Sequence, residues 1–150
     1  MEIEKIYARE IPEVQTMIRQ ASHQAMPHCD EFWCKQGDDL HRLFKHQGFV
    51  QTITGRRSRF PNGNRIHKAL NAIIQGTAAD IMKQKLVELH ANRKDTGFLL
   101  RYTVHDEVDG DARTPETKKK VQEILDTQSF PSIQIPILWD VGTGPNWKDC

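Results

Sequence analysis

The chain has 150 residues, 37% hydrophobic and 27% charged, with a formal net charge of +1 at pH 7. That length suits one domain with a core large enough to fold without a disulfide or a metal, and the near-neutral charge gives no argument for a nucleic-acid partner. No apolar run has membrane-spanning length, and the first residues lack the pattern of a signal peptide. We therefore expect a soluble, intracellular, cytoplasmic protein without a membrane partner.

The cysteines are odd in number and have no scaffold-like spacing, which favours free thiols in a reducing compartment. A loose group of zinc-ligand types lies in the N-terminal third: His28, Cys29, Cys34, His41 and His46. Their spacing matches no familiar zinc module, so the sequence does not predict a structural zinc.

Two helices are predicted before residue 48. The first begins at Ile11-Pro12-Glu13, because proline at the first helical position loses no hydrogen bond, and Pro27 ends it. Its apolar residues, which recur at helical spacing, are Val14, Met17, Ile18, Ala21 and Ala25. The second helix spans about Asp38 to Gln47, between an aspartate cap and Gly48. Residues 1–47 are thus expected to form a helical hairpin.

A short hairpin and a basic segment follow. Residues 49–53 alternate as a strand, turn at Thr54-Gly55 and return through residues 57–60. Basic residues crowd this segment up to the start of the next helix: Arg56, Arg57, Arg59, Arg65, His67 and Lys68. Their charge and the helix N-terminal dipole could bind phosphates, although a solvated basic loop explains them equally well.

A long helix is predicted from about Arg65 to Asn92. Gly76 lies inside it, and since glycine costs about 1 kcal/mol relative to alanine there, its presence predicts that another backbone comes close. That neighbour could be the hairpin or nucleic acid. Asn71 and Gln75 lie one turn apart beside the apolar stripe. Amides on a helix surface are usually only solvated, so these two carry no functional meaning by themselves.

A second hairpin presents carboxylates. Residues 98–104 alternate as a strand, the apolar run breaks at His105-Asp106-Glu107, and residues 107–112 can return beside it. Asp106 and Glu107 could solvate the turn, or they could bind a hard cation such as Mg2+, which prefers one or two carboxylates together with substrate phosphates. The tripeptide alone favours the first interpretation.

The C-terminal part continues with a helix and a strand. Thr114 to Thr117 opens a helix with Val121, Ile124 and Leu125 facing inward, and residues 133–141 are predicted to form an edge strand. The predicted fold class is α+β. Its antiparallel sheet comprises the regions 49–60, 98–112 and 133–141, and packs against the long helix.

Four motifs occur in a recognisable order: Gly55-Arg56-Arg57, the segment 71–83, His105-Asp106-Glu107, and the segment 140–147. Together they resemble the C-terminal palm of the family A, or DNA polymerase I-like, DNA polymerases, including phage members. The resemblance begins near Gly48. It implies that residues 48–150 are the C-terminal part of a polymerase palm and that residues 1–47 are a fingers-side remnant with an insertion.

The resemblance also implies roles for individual residues. Asp106 matches the family's metal-binding aspartate, Glu107 its less critical acidic neighbour, and His105 a residue close to the primer terminus. Asn71 and Gln75 match residues that face nucleic acid. The glutamine reaches the minor groove, where purines and pyrimidines present the same acceptors. The expected phosphate contacts are Arg56, Arg57, Arg59 and Lys68.

The implied activity is that of a DNA-directed DNA polymerase, a nucleotidyltransferase that uses Mg2+, primer-template DNA and deoxynucleoside triphosphates. The family's second metal-binding aspartate and its fingers helix have no match in this chain. We therefore expect a separate polypeptide to supply both, and the isolated chain to be inactive. Two alternatives remain: a non-catalytic DNA-binding or protein-interaction module derived from a palm, and a small metal-dependent phosphoesterase using Asp106, Glu107 and an unrecognised ligand.

Overall fold

The computed structural model describes residues 11–28 and 46–149, without the side chain of Trp147. The chain divides into two compact units, Met1–Ala78 and Ala79–Cys150. The second predicted helix, from Asp38, lies largely outside the described residues, as do the zinc candidates Cys29, Cys34 and His41. The domain boundary expected after residue 47 stays a prediction.

The first helix among the described residues is α1 (Pro12–Ala25), which starts with proline as predicted and ends where Met26 becomes extended. The end of α1 is buried, with Ala25 and Met26 at 0% and 1% exposure. Met17, expected on the buried stripe, is instead exposed. Among the described residues of the first unit, those that form the apolar core are Ala21, Ala25, Met26, Val50, Phe60, Ile66 and Ala69.

The first hairpin pairs β1 (Phe49–Gln51) with β2 (Arg57–Arg59) in antiparallel register, with Gln51 opposite Arg57. Gly55 has a φ of 83°, a left-handed conformation that glycine adopts without strain. Two short 3-10 turns, Pro61–Gly63 and Ile66–Lys68, lead into helix α2 (Ala69–Ala91). The predicted hairpin and long helix are therefore confirmed.

The second unit contains the rest of α2, the short helix α3 (Arg93–Thr96), strands β3 (Phe98–Val104) and β4 (Glu107–Ala112), and helix α4 (Thr117–Asp126). The predicted carboxylate hairpin is present, with β3 and β4 antiparallel. Helix α4 buries Val121 and Leu125 against Leu89 of α2, with Ile124 packed beside them. These apolar contacts hold the end of the long helix against α4.

The predicted strand at residues 133–141 is wrong, because the structure assigns no strand to that segment. Pro131 and Pro136 lack the N–H groups that a sheet ladder needs. Leu138 is 88% exposed, while Trp139 and Val141 pack on the core. The α+β class is confirmed, but the strands form two separate two-stranded antiparallel sheets among the described residues.

Lys85 of α2 is buried in the second unit, at 3% exposure, and connects α2 to α4. Its Nζ donates hydrogen bonds to the carbonyl oxygens of Ile124 at 3.0 Å and Thr127 at 2.6 Å. These carbonyls lie at the C-terminal end of α4, where helix carbonyls lack intrahelical partners and a positive charge is favourable. The ammonium group thus satisfies the end of α4 from a neighbouring helix.

Glu88 balances this buried charge at 2.9 Å from the Lys85 Nζ. Burial of the Glu88 carboxyl raises its pKa, but hydrogen bonds from Gln84, Lys85 and Ser129 outweigh the burial, so that its pKa is lowered overall. The buried cation therefore has an ionised partner at neutral pH.

Replacing Lys85 with methionine should destabilise the protein by about 1–3 kcal/mol, because Ile124 and Thr127 lose the hydrogen bonds from the Lys85 Nζ and Glu88 loses its ionic partner. The free energy of unfolding from urea titration is the measurement. Lys83→Met is the matched control, since Lys83 lies on the same helix and is exposed, and it should change stability by less than about 0.5 kcal/mol. Equal effects of the two substitutions would contradict a stabilising role for the Lys85 contacts.

Candidate functional site

The β3–β4 turn consists of two residues. Val104 pairs with Glu107, so that His105 and Asp106 alone connect the strands. His105 has a φ of 53°, in the left-handed region, where a side chain carries a cost of about 1–2 kcal/mol. A two-residue hairpin turn requires a positive φ at its first central residue, so the conformation of His105 follows from the tight connection of the two strands.

Asp106 and Glu107 are both exposed at the tip of this hairpin. Asp106 is the second turn residue and Glu107 is the first residue of β4. Carboxylate oxygens are the donors that hard divalent cations prefer, and an exposed pair leaves room for substrate phosphates. Among the described residues, no group of three His, Cys, Asp or Glu side chains could hold a metal ion. The turn therefore supplies at most two carboxylate ligands, which is less than the full set that an ion requires.

The basic side chains of the first unit have different surroundings. The Nη2 of Arg56 donates a hydrogen bond to the carbonyl oxygen of Gly76 at 2.7 Å. The guanidinium of Arg57 lies 4.6 Å from the centre of the Phe49 ring, a cation–π contact. All four basic residues, Arg56, Arg57, Arg59 and Lys68, are exposed. The structure thus separates Arg56, which contacts α2, from the other predicted phosphate contacts.

Gly76 has the close neighbour that its position in a helix predicted. A Cβ built on Gly76 would lie 2.7 Å from Cγ2 of Thr52 and 3.1 Å from Nη2 of Arg56. The expectation that this neighbour would be a backbone is wrong, since the contacts come from two side chains of the β1–β2 turn. The sequence predicted a close contact at this position, because glycine destabilises a helix interior. It could not show which atoms make that contact.

Asn71 and Gln75 are both exposed on α2, one helical turn apart. They belong to the first unit, together with the arginines and Lys68, whereas His105, Asp106 and Glu107 belong to the second. Within the first unit, the described contact between the basic residues and this part of α2 is that of Arg56 with Gly76, the residue after Gln75. The DNA-binding and metal-binding roles that the resemblance assigns to them stay predictions.

Comparison with known proteins identifies the family. The sequence profile of DNA polymerase family A matches residues 6–149. This chain belongs to DNA polymerase family A. The match also extends upstream of Gly48, where the recognisable motifs begin, so the family pattern includes most of the segment before the first hairpin.

The relatives are bacterial and phage polymerases. DNA polymerase I of Deinococcus radiodurans is 36% identical over 117 residues, covering 68% of this chain and 12% of the relative. DNA polymerase DpoZ of Salmonella phage PMBT28 is 30% identical over 149 residues, covering 94% of this chain and 20% of the relative. DpoZ of Vibrio phage phiVC8 is 30% identical over 111 residues, covering 72% of this chain and 17% of the relative. The chain therefore spans no more than 20% of the length of these three relatives.

No solved structure matches the chain. No helix in the described part of the chain combines the length and the apolar character needed to cross a membrane.

The left-handed turn makes a prediction about His105. His105→Val should lower the free energy of unfolding by about 1–2 kcal/mol, because a branched side chain at positive φ is strained, whereas His105→Gly should retain or raise it. Urea titration of both variants measures the difference. His105→Asn is the matched control, because asparagine tolerates this conformation. Equal stability of the valine and glycine variants would contradict the turn geometry.

Proposed function

We propose that this chain is the C-terminal palm part of a DNA-directed DNA polymerase, and that it contributes a metal-binding carboxylate and primer-template contacts to nucleotidyl transfer. The observation that supports this most directly is the strained two-residue turn, with Asp106 and Glu107 exposed at its tip, in a member of DNA polymerase family A. Asp106 is the principal ligand in this proposal, and Glu107 assists it.

The metal in this proposal is Mg2+, because the donors at the turn are carboxylate oxygens. Bound divalent ions stabilise the attacking and leaving oxygens of an in-line phosphoryl displacement. The contribution of Asp106 is to supply negative charge at a fixed position on a strand-anchored turn. Exposure of the pair leaves it accessible to a primer terminus and a triphosphate.

The DNA contacts come from two kinds of side chain. Exposed Arg57, Arg59 and Lys68 neutralise backbone phosphates, a contribution that does not depend on base sequence. The Gln75 amide donates to minor-groove acceptors that all base pairs share, so it senses the geometry of the pair at the primer end. Asn71 lies one turn earlier on the same helix, and His105 lies beside the primer terminus.

Completion of the site requires a partner in this proposal. Two carboxylates are too few to arrange two ions and a triphosphate. We place the second metal-binding aspartate and the fingers helix on a separate polypeptide, which also binds the deoxynucleoside triphosphate. The isolated chain is then inactive, and the completed enzyme acts in the cytoplasm, where its DNA substrate lies.

Asp106→Asn should decide between catalysis and mere DNA binding. Mixed with the polypeptide that carries the upstream polymerase motifs, the unaltered chain should extend a primer in the presence of Mg2+, and neither chain should do so alone. The substitution removes the charge that binds the ions but keeps the shape, so extension should fall by about two orders of magnitude or more. Primer extension on a denaturing gel is the measurement.

Glu116→Gln is the control for this experiment, because it removes one exposed carboxylate at the start of α4. Extension and association with the partner should survive it. If the Asp106→Asn complex extends primers as well as the unaltered complex, the carboxylate is structural. The non-catalytic DNA-binding module then becomes the better account of the chain.

Duplex binding by the isolated chain should be weak, strongly salt dependent and insensitive to base sequence. Arg59→Ala and Lys68→Ala should each reduce the slope of log affinity against log salt by about 1, since each removes one phosphate contact. Fluorescence anisotropy across a salt series measures this slope. Lys94→Ala, an exposed lysine of α3, is the control and should leave the slope unchanged; an equal effect of all three variants would contradict the assigned surface.

A further inference from the structure

We infer that Arg56 is a positioning residue that determines how α2 presents Gln75 to the minor groove, and that it does not contact a DNA phosphate. The inference rests on the proposed function of Gln75. It goes beyond that function because it removes Arg56 from the phosphate-binding surface and gives it a different task within the first unit.

Two contacts join the β1–β2 turn to α2 directly after Gln75. The Arg56 guanidinium donates to the Gly76 carbonyl oxygen at 2.7 Å. The backbone N–H of Ile53 donates to Oγ1 of Thr77 at 3.4 Å. The turn therefore contacts α2 at the two residues that follow Gln75 in sequence.

The turn that carries Arg56 is itself constrained. Thr52 is buried at 6% exposure, and its backbone N–H donates to the Arg56 carbonyl at 3.0 Å. The backbone N–H of Arg56 in return donates to Oγ1 of Thr52 at 3.2 Å. Because its backbone is held at both groups, Arg56 presents its guanidinium to α2 from a defined position.

Gly76 contributes to this contact in two ways. Glycine is the residue, proline apart, least suited to a helix interior, so the helix is locally weak beside Gln75 and gains order from an external contact. The same glycine leaves the space that Cγ2 of Thr52 and Nη2 of Arg56 occupy, as the distances from a built Cβ show. The hydrogen bond is charge-assisted and uses the second lone pair of a helix carbonyl.

A minor-groove hydrogen bond requires a donor within about 2.7–3.2 Å of its acceptor, so a small shift of α2 at Gly76 removes the contact that Gln75 makes. The Arg56 side chain is exposed too, but its Nη2 is engaged with the Gly76 carbonyl. For Arg59 and Lys68, which are also exposed, the structure describes no hydrogen bond to a helix carbonyl, so their charged groups are available to phosphates.

The test uses the isolated chain and two fluorescent primer-template duplexes in low salt. One duplex carries an ordinary purine at the primer terminus, and the other carries its 3-deaza analogue, which lacks the minor-groove N3 acceptor. The unaltered chain should bind the ordinary duplex about two- to tenfold more tightly, the range that one net hydrogen bond supplies. Gln75→Ala should abolish that preference.

Arg56→Ala should also abolish the preference for the ordinary duplex while leaving the salt slope of binding unchanged. Arg56→Lys retains one donor and should keep part of the preference. Gly76→Ala keeps every charge but forces Thr52 and Arg56 away, so it too should lose the preference at an unchanged slope. Combining Arg56→Ala with Gln75→Ala should cause no further loss, because both act on one contact.

An Arg56→Ala chain that keeps the preference and loses about 1 from the salt slope overturns the inference, because it identifies Arg56 as a phosphate contact. If Arg56→Ala fails to fold by circular dichroism, Arg56→Lys and Gly76→Ala decide by the same two measurements. If the unaltered chain and Gln75→Ala both bind the duplexes equally, the proposed role of Gln75 fails, and the inference fails with it. If only the inference about Arg56 is wrong, the result is different: Gln75→Ala abolishes the preference for the ordinary duplex, and Arg56→Ala does not.

Discussion

The two-residue connection between β3 and β4 is the constraint on which the candidate metal site depends. Successive strand residues point to opposite faces of a sheet, so neighbouring carboxylates can serve one reaction centre only where the chain turns. The pairing of Val104 with Glu107 places the turn at His105 and Asp106. This tight turn requires the left-handed backbone conformation of His105, which is unfavourable for a residue with a side chain. The family resemblance places the same residue close to the primer terminus.

Tight packing at Gly76 is the corresponding constraint in the first unit. The β1–β2 hairpin is short, yet its turn supplies Thr52 and Arg56 to the surface of α2 at Gly76. A side chain at residue 76 would prevent this approach. Glycine therefore weakens the helix but allows a neighbouring turn to brace it, and the braced position lies directly beside the amide proposed to read the minor groove.

The second unit depends on a buried charge for its own packing. Lys85 reaches from α2 to the carbonyls at the end of α4, and Glu88 compensates its charge. A buried ammonium is tolerated only when its donors are satisfied and its charge is paired. This arrangement holds α4 on α2, while Leu89, Val121 and Leu125 supply the apolar contacts between the same helices.

The sequence by itself determined the α+β class, the two hairpins, the long helix and the polymerase family, because these depend on periodicity, turn residues and short motifs that are local in the chain. It also identified Gly76 as a crowded position and the tip of the second hairpin as the place where Asp106 and Glu107 lie.

It did not show that residues 133–141 fail to pair as a strand, since apolar alternation there is compatible with a strand and only the tertiary packing leaves Leu138 exposed. Tertiary structure alone also decided that Arg56 bonds to the Gly76 carbonyl and that Lys85 bonds to Ile124 and Thr127. These contacts join residues 20 or more positions apart, so no local pattern predicts them. The burial of Lys85 was likewise not predictable, because a charged side chain is expected to be exposed unless the fold supplies partners for it.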